Sequence, residues 1–297
     1  MSHPQTRLRR VVLVSIVAAG TATLISATTA SADVHVSTGY LHTCALKGSG
    51  KVICWGDSSD GKTTPPKAEF KQIAAGTYHS CGVKTSGTVA CWGADDEGET
   101  NPPGGKFKSV DAGYYISCGV QTNGKARCWG YNSEGQREVP GGEFRKLSIG
   151  SYHGCGIRPT QKVVCWGYDE YGQASPPGGK FKQVNAGRYH TCGIRPDGEA
   201  VCWGYDDGPG ETMPPGAFFR SLVAGYYVTC GVKTSKALDC FGYDSYDIVS
   251  DFPSGKFKSV DTGDYAEHAC AVTLNDKIDC WGGSNAYGEA TVPPGLG

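Results

Sequence analysis

Residues 70–103 read FKQIAAGTYHSCGVKTSGTVACWGADDEGETNPP, and the register of this stretch decides the fold. A short apolar run ends in Ala75-Gly76, and a second passes through Cys81. The turn Thr85-Ser86-Gly87 follows, then a third run through Cys91-Trp92 and an acidic loop closed by Gly98 and Pro102-Pro103. Apolar residues alternate and no helical period appears, so the stretch predicts three strands. With Thr85-Ser86-Gly87 as a three-residue hairpin loop, Lys84 faces Thr88 and Cys81 faces Cys91. Opposed side chains of an antiparallel pair lie about 4.5–5.5 Å apart, close to disulfide reach.

The same unit recurs along the chain. All fourteen cysteines fall into pairs ten positions apart: Cys44 with Cys54, Cys81 with Cys91, Cys118 with Cys128, Cys155 with Cys165, Cys192 with Cys202, Cys230 with Cys240 and Cys270 with Cys280. Successive pairs begin 37, 37, 37, 37, 38 and 40 residues apart, a period that marks stacked copies of one supersecondary unit. Alternation puts His79, Cys81, Val83, Val89 and Cys91 on one side of the sheet and Gly82, Ala90 and Trp92 on the other. Sheets with two such faces bury both only by stacking in a ring, so the expected fold is all-β, a seven-bladed β-propeller with one disulfide per blade. Trp55, Trp92, Trp129, Trp166, Trp203, Phe241 and Trp281 supply one packing aromatic per blade. Glycine suits the left-handed third loop position at Gly50, Gly87, Gly124 and Gly198; Gln161, Lys236 and Asp276 stand there in the other repeats and predict a different turn. A fourth strand is expected in each blade, completing either its own sheet or the next.

Arg7, Arg9 and Arg10 precede an apolar run from Val11 to Ala27 and then Ala30-Ser31-Ala32, the grammar of a secretory signal. Residues 1–32 are expected to be that signal and 33–297 the propeller, secreted, extracellular and free of the membrane after cleavage. An oxidising destination favours disulfides over metal sites, and no C-x-x-C pair suggests zinc. Removing three arginines leaves 25 of the 28 basic residues against 29 acidic ones, a charge of −4. That balance argues against nucleic acid as a partner. A monomer with no cofactor and no metal is expected. His42, His79, His153, His190 and His268 each stand two residues before a cysteine; so wide a circle favours structural hydrogen bonding over metal ligation.

In such a blade the loops after the first and third strands emerge at one end. There they collect all sixteen tyrosines with Asp57, Asp60, Asp95, Asp96, Glu97, Glu134, Asp169, Glu170, Asp206, Asp207, Asp244 and Asp247, and Arg188 is nearly alone among them as a cation. The hairpin turns collect lysines at the opposite end. Tyrosine gives a large amphipathic contact at little conformational cost. One end therefore reads as an acidic protein-recognition surface, with plugging of the propeller mouth as the alternative.

The recurring A-G-x-Y-H-x-C-G and W-G-x-[D/N]-x-x-G-[Q/E]-x-x-x-P resemble the repeats of the regulator-of-chromosome-condensation superfamily. The closing segment Trp281-Gly-Gly-Ser-Asn-Ala-Tyr-Gly-Glu-Ala-Thr-Val-Pro resembles repeats of secreted streptomycete propellers that inhibit β-lactamases, whereas the cysteine pairs are similar to crinkly-type ectodomains of plant receptor kinases. The inhibitor resemblance implies a protein partner, such as a class A β-lactamase or penicillin-binding enzyme, and no catalysis. It implies contact through Tyr78, Tyr115, Tyr152, Tyr189, Tyr227 and Tyr265, with Tyr131, Asp169, Tyr205, Asp206, Tyr243 and Asp244 in the second loop. Leu41 in blade one and Asp247-Ile248 in blade six depart from the pattern. A carbohydrate or cell-surface module, or a propeller lyase or hydrolase, are the competing classes; no G-x-S-x-G or H-E-x-x-H motif supports an enzyme.

Overall fold

The computed structural model describes residues 33–297 apart from 207–209, 211, 213, 215, 245, 264 and 266. The proposed signal, residues 1–32, and Asp207 lie outside the described residues. Seven three-stranded antiparallel sheets follow one another along the chain. Blade one is His35–Thr38, His42–Leu46 and Val52–Gly56, and blade two is Phe70–Ala75, His79–Lys84 and Val89–Gly93. Blade seven is Phe257–Asp261, Ala269–Thr273 and Ile278–Trp281.

In blade two Cys81 stands opposite Cys91 and Val83 opposite Val89, the register expected from the hairpin. The disulfide of each blade joins the paired cysteines: Cys44 to Cys54, Cys81 to Cys91, Cys118 to Cys128, Cys155 to Cys165, Cys192 to Cys202, Cys230 to Cys240 and Cys270 to Cys280. The two halves of each bridge differ in depth. Cys44, Cys81, Cys118, Cys155, Cys192, Cys230 and Cys270 lie on central strands and are fully buried. Their partners lie on the outer strand, where Cys54, Cys91, Cys128, Cys165, Cys202 and Cys280 are half-buried and Cys240 alone is buried.

Two expectations are corrected. Every sheet holds three strands rather than four, because the outer segment makes only isolated bridges such as Lys125 with Glu143 and Glu199 with Phe218. Proline withholds a ladder donor and keeps that segment irregular. Gln161, Lys236 and Asp276 adopt the same left-handed turn as the glycines, at φ of 68°, 73° and 61°. The two hairpin hydrogen bonds, Gln161 N–H to Arg158 O and Arg158 N–H to Lys162 O, hold the turn whatever the side chain.

Between blades, the cysteine face of one sheet packs on the aromatic face of the next. Cys81 and Val83 meet Phe107, Val110 and Trp129; Cys118 and Val120 meet Phe144, Leu147 and Trp166. The last joint has the same composition, with Cys270 and Val272 against Ala45 and Trp55. The glycine after the first cysteine has a steric origin: a Cβ on Gly82 would stand 2.5 Å from the Phe70 ring. Each tryptophan also donates Nε1–H to a main-chain carbonyl in the loop of the preceding blade, Trp129 to Glu99 O at 2.8 Å and Trp166 to Gln136 O at 2.8 Å. Trp55 donates to Glu289 O at 2.9 Å, so the terminal loop closes the ring by the same bond. The departing blade-six loop keeps it too, since Asp247 takes the glycine's positive φ and Ile248 O receives Trp281.

The buried histidines form a second set of joints. His42 reaches Ser80, His79 Ser117, His153 Thr191, His190 Thr229 and His268 Thr43, at 2.6–2.8 Å. Where Ile116 or Val228 replaces histidine, the next blade offers Gly154 or Ala269 instead of a hydroxyl. Imidazole and hydroxyl are thus present or absent together, which satisfies Nε2 and the hydroxyl of each pair, while Nδ1 of His42, His79, His153 and His268 is buried without a hydrogen-bond partner among the described residues. Burial lowers His42 and His153 to about 3 and His79, His190 and His268 to about 4.

Candidate functional site

The strand-end glycines turn the chain so that one or two following side chains face the propeller axis. Main-chain bonds from blade to blade, such as Thr77 N–H to Gly113 O at 3.2 Å and Arg188 N–H to Gly225 O at 3.2 Å, fix these loops. The second loop emerges beside the first, with Ala94 N–H on Tyr78 O and Tyr131 N–H on Tyr115 O. Both loop classes therefore share one end, as strand direction predicted.

At that end Tyr40, Tyr78, Tyr114, Tyr152, Tyr189, Tyr227, Tyr226 and Tyr265 form a closed ring, each in contact with the next at centroid separations of 4.1–6.2 Å. Tyr114 also stacks on Tyr265 at 5.7 Å. An outer tier leans on the ring: Tyr115 on Tyr78, Tyr168 on Tyr152, Tyr205 and Tyr171 on Tyr189, and Tyr243 on Tyr227. Tyr171 is 44% exposed and Tyr243 54%. Edge and face contacts of this kind hold large rings in preferred orientations. Burial pushes the phenols of Tyr115 and Tyr152 up to about 12, so they present neutral hydroxyls at physiological pH.

Of the sequence-predicted contacts, Tyr78, Tyr152, Tyr189, Tyr227 and Tyr265 stand in the inner ring and Tyr115, Tyr205 and Tyr243 in the outer tier. Tyr131 is half-buried and enters no ring pair among the described residues. The second-loop carboxylates brace their own loops as well as facing water. Asp169 accepts Ala174 N–H and the Ser175 hydroxyl, both at 2.7 Å; Asp206 accepts the Thr212 hydroxyl at 2.6 Å; Asp244 accepts Val249 N–H at 2.8 Å. Asn132 does the same for Arg137 N–H. The repeated Asp/Asn is therefore a loop brace first.

Tyr40, Tyr114 and Tyr226 complete the ring without belonging to the predicted contact set. They directly follow the glycine, whereas the set follows the next position. Arg188 occupies that same first position and lies among the rings, 4.4 Å from the Tyr226 and Tyr265 centroids and 4.8 Å from Tyr189.

Beneath this mouth the inner strands enclose a cavity of about 440 Å³ along the axis. One position per blade points into it, and where polar it accepts a main-chain N–H from the next blade: Ser37 from Ala75, Asp111 from Ile149, Ser148 from Ala186, Asn185 from Ala224 and Asp261 from Thr38. Burial raises Asp111 and Asp261 to about 6. Among the described residues no cluster of three or more His, Cys, Asp or Glu side chains is arranged to hold a metal, and no helix is long and apolar enough to cross a membrane.

The fold and its repeats place the molecule among the propellers of regulator-of-chromosome-condensation type. The regulator of chromosome condensation (RCC1) repeat matches at residues 34–62, 70–99, 107–136, 144–173 and 181–207, and the chain belongs to this repeat family. No curated protein matches the chain by sequence. Among solved structures it is similar to the CRINKLY ectodomain of the Arabidopsis thaliana receptor kinase ACR4, at 28% identity over 84% of this chain and 94% of that one, with a TM-score of 0.72. The ectodomain of the Physcomitrella patens receptor kinase CR4 is 26% identical over 84% of this chain and 74% of its own, also with a TM-score of 0.72. Yeast RCC1 (Prp20), solved with Kap60, shares the fold at 17% identity and a TM-score of 0.54, covering 87% and 71%.

Proposed function

We propose that this chain is an exported, extracellular, non-enzymatic protein binder that docks a folded partner on its tyrosine end. The partner we propose is a class A β-lactamase or a related penicillin-binding enzyme, inhibited by occlusion of its active site. The observation that carries this reading is the two-tier tyrosine surface. The inner ring already fills the mouth, so the exposed Tyr171 and Tyr243 are surplus to a plug. Aromatic clusters of this density suit hot spots, with the polar rim excluding water. Carboxylates at Asp95, Asp96, Glu97, Glu134 and Glu170 ring the surface and favour a partner with a basic approach face. Likeness to receptor ectodomains and seven disulfides support an extracellular setting.

The test is affinity and inhibition across a panel of class A β-lactamases. Inhibition at micromolar protein or below is expected, and its absence across the panel removes the inhibitor. With a responding enzyme, Tyr152→Ala and Tyr189→Ala should each weaken binding by more than about 1 kcal/mol. Unchanged affinity in both would place the contact elsewhere.

A further inference from the structure

Arg188 is at odds with its surroundings. Its main chain is fixed by the bond to Gly225 O, and its guanidinium carbon lies 4.4 Å from the centroids of Tyr226 and Tyr265, 4.8 Å from Tyr189 and 5.9 Å from Tyr152. Ring faces attract a cation but take up none of its in-plane N–H groups. Nε and Nη1 are buried with no hydrogen-bond partner among the described residues. At this end Glu170 already accepts the Tyr168 hydroxyl. Among the described residues Arg188 makes no ion pair. A buried donor left unmade is costly, and a guanidinium whose Nε and Nη1 lack partners can grip a carboxylate through two parallel bonds.

We propose that Arg188, with Tyr189, Tyr226 and Tyr265, is a cage for a carboxylate carried by the partner, an aspartate or glutamate side chain on a protruding segment. The inference rests on the docking role of the tyrosine end and deepens it. The partner's knob is acidic at its tip and basic on its flanks, matching Arg188 among the rings and the exposed second-loop carboxylates, since Lys62 beside Tyr78 is already paired with Asp57. Rotation of a covering tyrosine side chain admits the tip; partly exposed rings reorient far faster than proteins bind.

Three short lysine-flanked peptide probes test this: an amide with one central glutamate, its glutamine twin, and the glutamine peptide with a free C-terminal carboxylate. Arginine side-chain Nε–H resonances are followed by NMR. The glutamate peptide should shift the Arg188 resonance and bind at least fivefold more tightly than its glutamine twin. The same advantage for the free-terminus peptide, alongside that of the glutamate peptide, would support a cage that takes either kind of carboxylate. Arg188→Gln, and Arg188→Lys as a charge-retaining check on folding, should each abolish the discrimination. Equal binding of the first two peptides, or an unmoved Arg188 resonance, overturns the cage. The two readings fail separately. An enzyme that loses affinity for Tyr152→Ala but not for Arg188→Gln sinks the cage alone, whereas carboxylate discrimination without any enzyme binding sinks the inhibitor alone.

Discussion

Lowering the pH from 7 to 5 should cost this propeller about 7 kcal/mol of stability, through the five buried imidazoles. A histidine whose folded pKa lies below its unfolded one binds protons in the unfolded chain first, so its contribution is present above about pH 6.5 and is lost as pH falls toward the folded value. With folded values of about 3 to 4, each histidine loses about 2 kcal/mol by pH 5, roughly 9 for the set. Asp111 and Asp261 act in the opposite sense. Their raised pKa values of about 6 mean that the folded state gains protons first on acidification, returning about 1 kcal/mol each. Both carboxyls border the axial cavity. The assay is guanidinium unfolding of the oxidised protein followed by tryptophan fluorescence at pH 7, 6 and 5. A flat or rising stability toward pH 5 would refute the reasoning. A second arm copies the apolar joint of Ile116 with Gly154 into the next position through His153→Ile and Thr191→Gly. That variant should lose about 2 kcal/mol less between pH 7 and 5, and an unaltered pH dependence would be equally damaging.

Asp111→Asn should fold with little change at pH 7, since Asn185 already makes the equivalent bond to Ala224 N–H, and should steepen the acid loss by about 1 kcal/mol; a loss above about 3 kcal/mol in the pH 7 denaturation curve would show that the charge itself is needed. Trp166→Phe removes the donor to Gln136 O and should cost about 1–3 kcal/mol at the fourth blade, read from the same unfolding curve; no cost would mean that the bond is worth nothing. Alkylation followed by mass spectrometry should label no cysteine in the unfolded oxidised chain and all fourteen after reduction, and any label before reduction would contradict the pairing.

The cysteine register, the two-faced blades and the shared end of the tyrosine loops were legible because each follows from period-two alternation and a fixed ten-residue spacing. The complete ring was not. Tyr40, Tyr114 and Tyr226 reach it from a different position than the six resemblance-selected residues, and proximity to the axis, not repeat position, decides which side chains meet. The acceptors Ser37, Asp111, Ser148, Asn185 and Asp261 were illegible for a related reason: they share a function and no residue type. Main-chain acceptors such as Lys62 O and Ile248 O leave no trace in side-chain identity at all. One signal was present and unread, the joint loss of histidine and hydroxyl at Ile116 with Gly154 and at Val228 with Ala269.

Each disulfide joins two strands of one blade, and none crosses from blade to blade. No disulfide spans a seam, and the seam between the last blade and the first, which no peptide link bridges, carries the tryptophan, histidine and apolar contacts found at most of the others. The closing seam is thus held by contacts of the same kind as the chain-linked ones. Circular permutants that join the present ends and cut at another inter-blade loop should assemble the same oxidised propeller, and the position of the cut becomes a free choice for presenting the tyrosine mouth on a fusion partner.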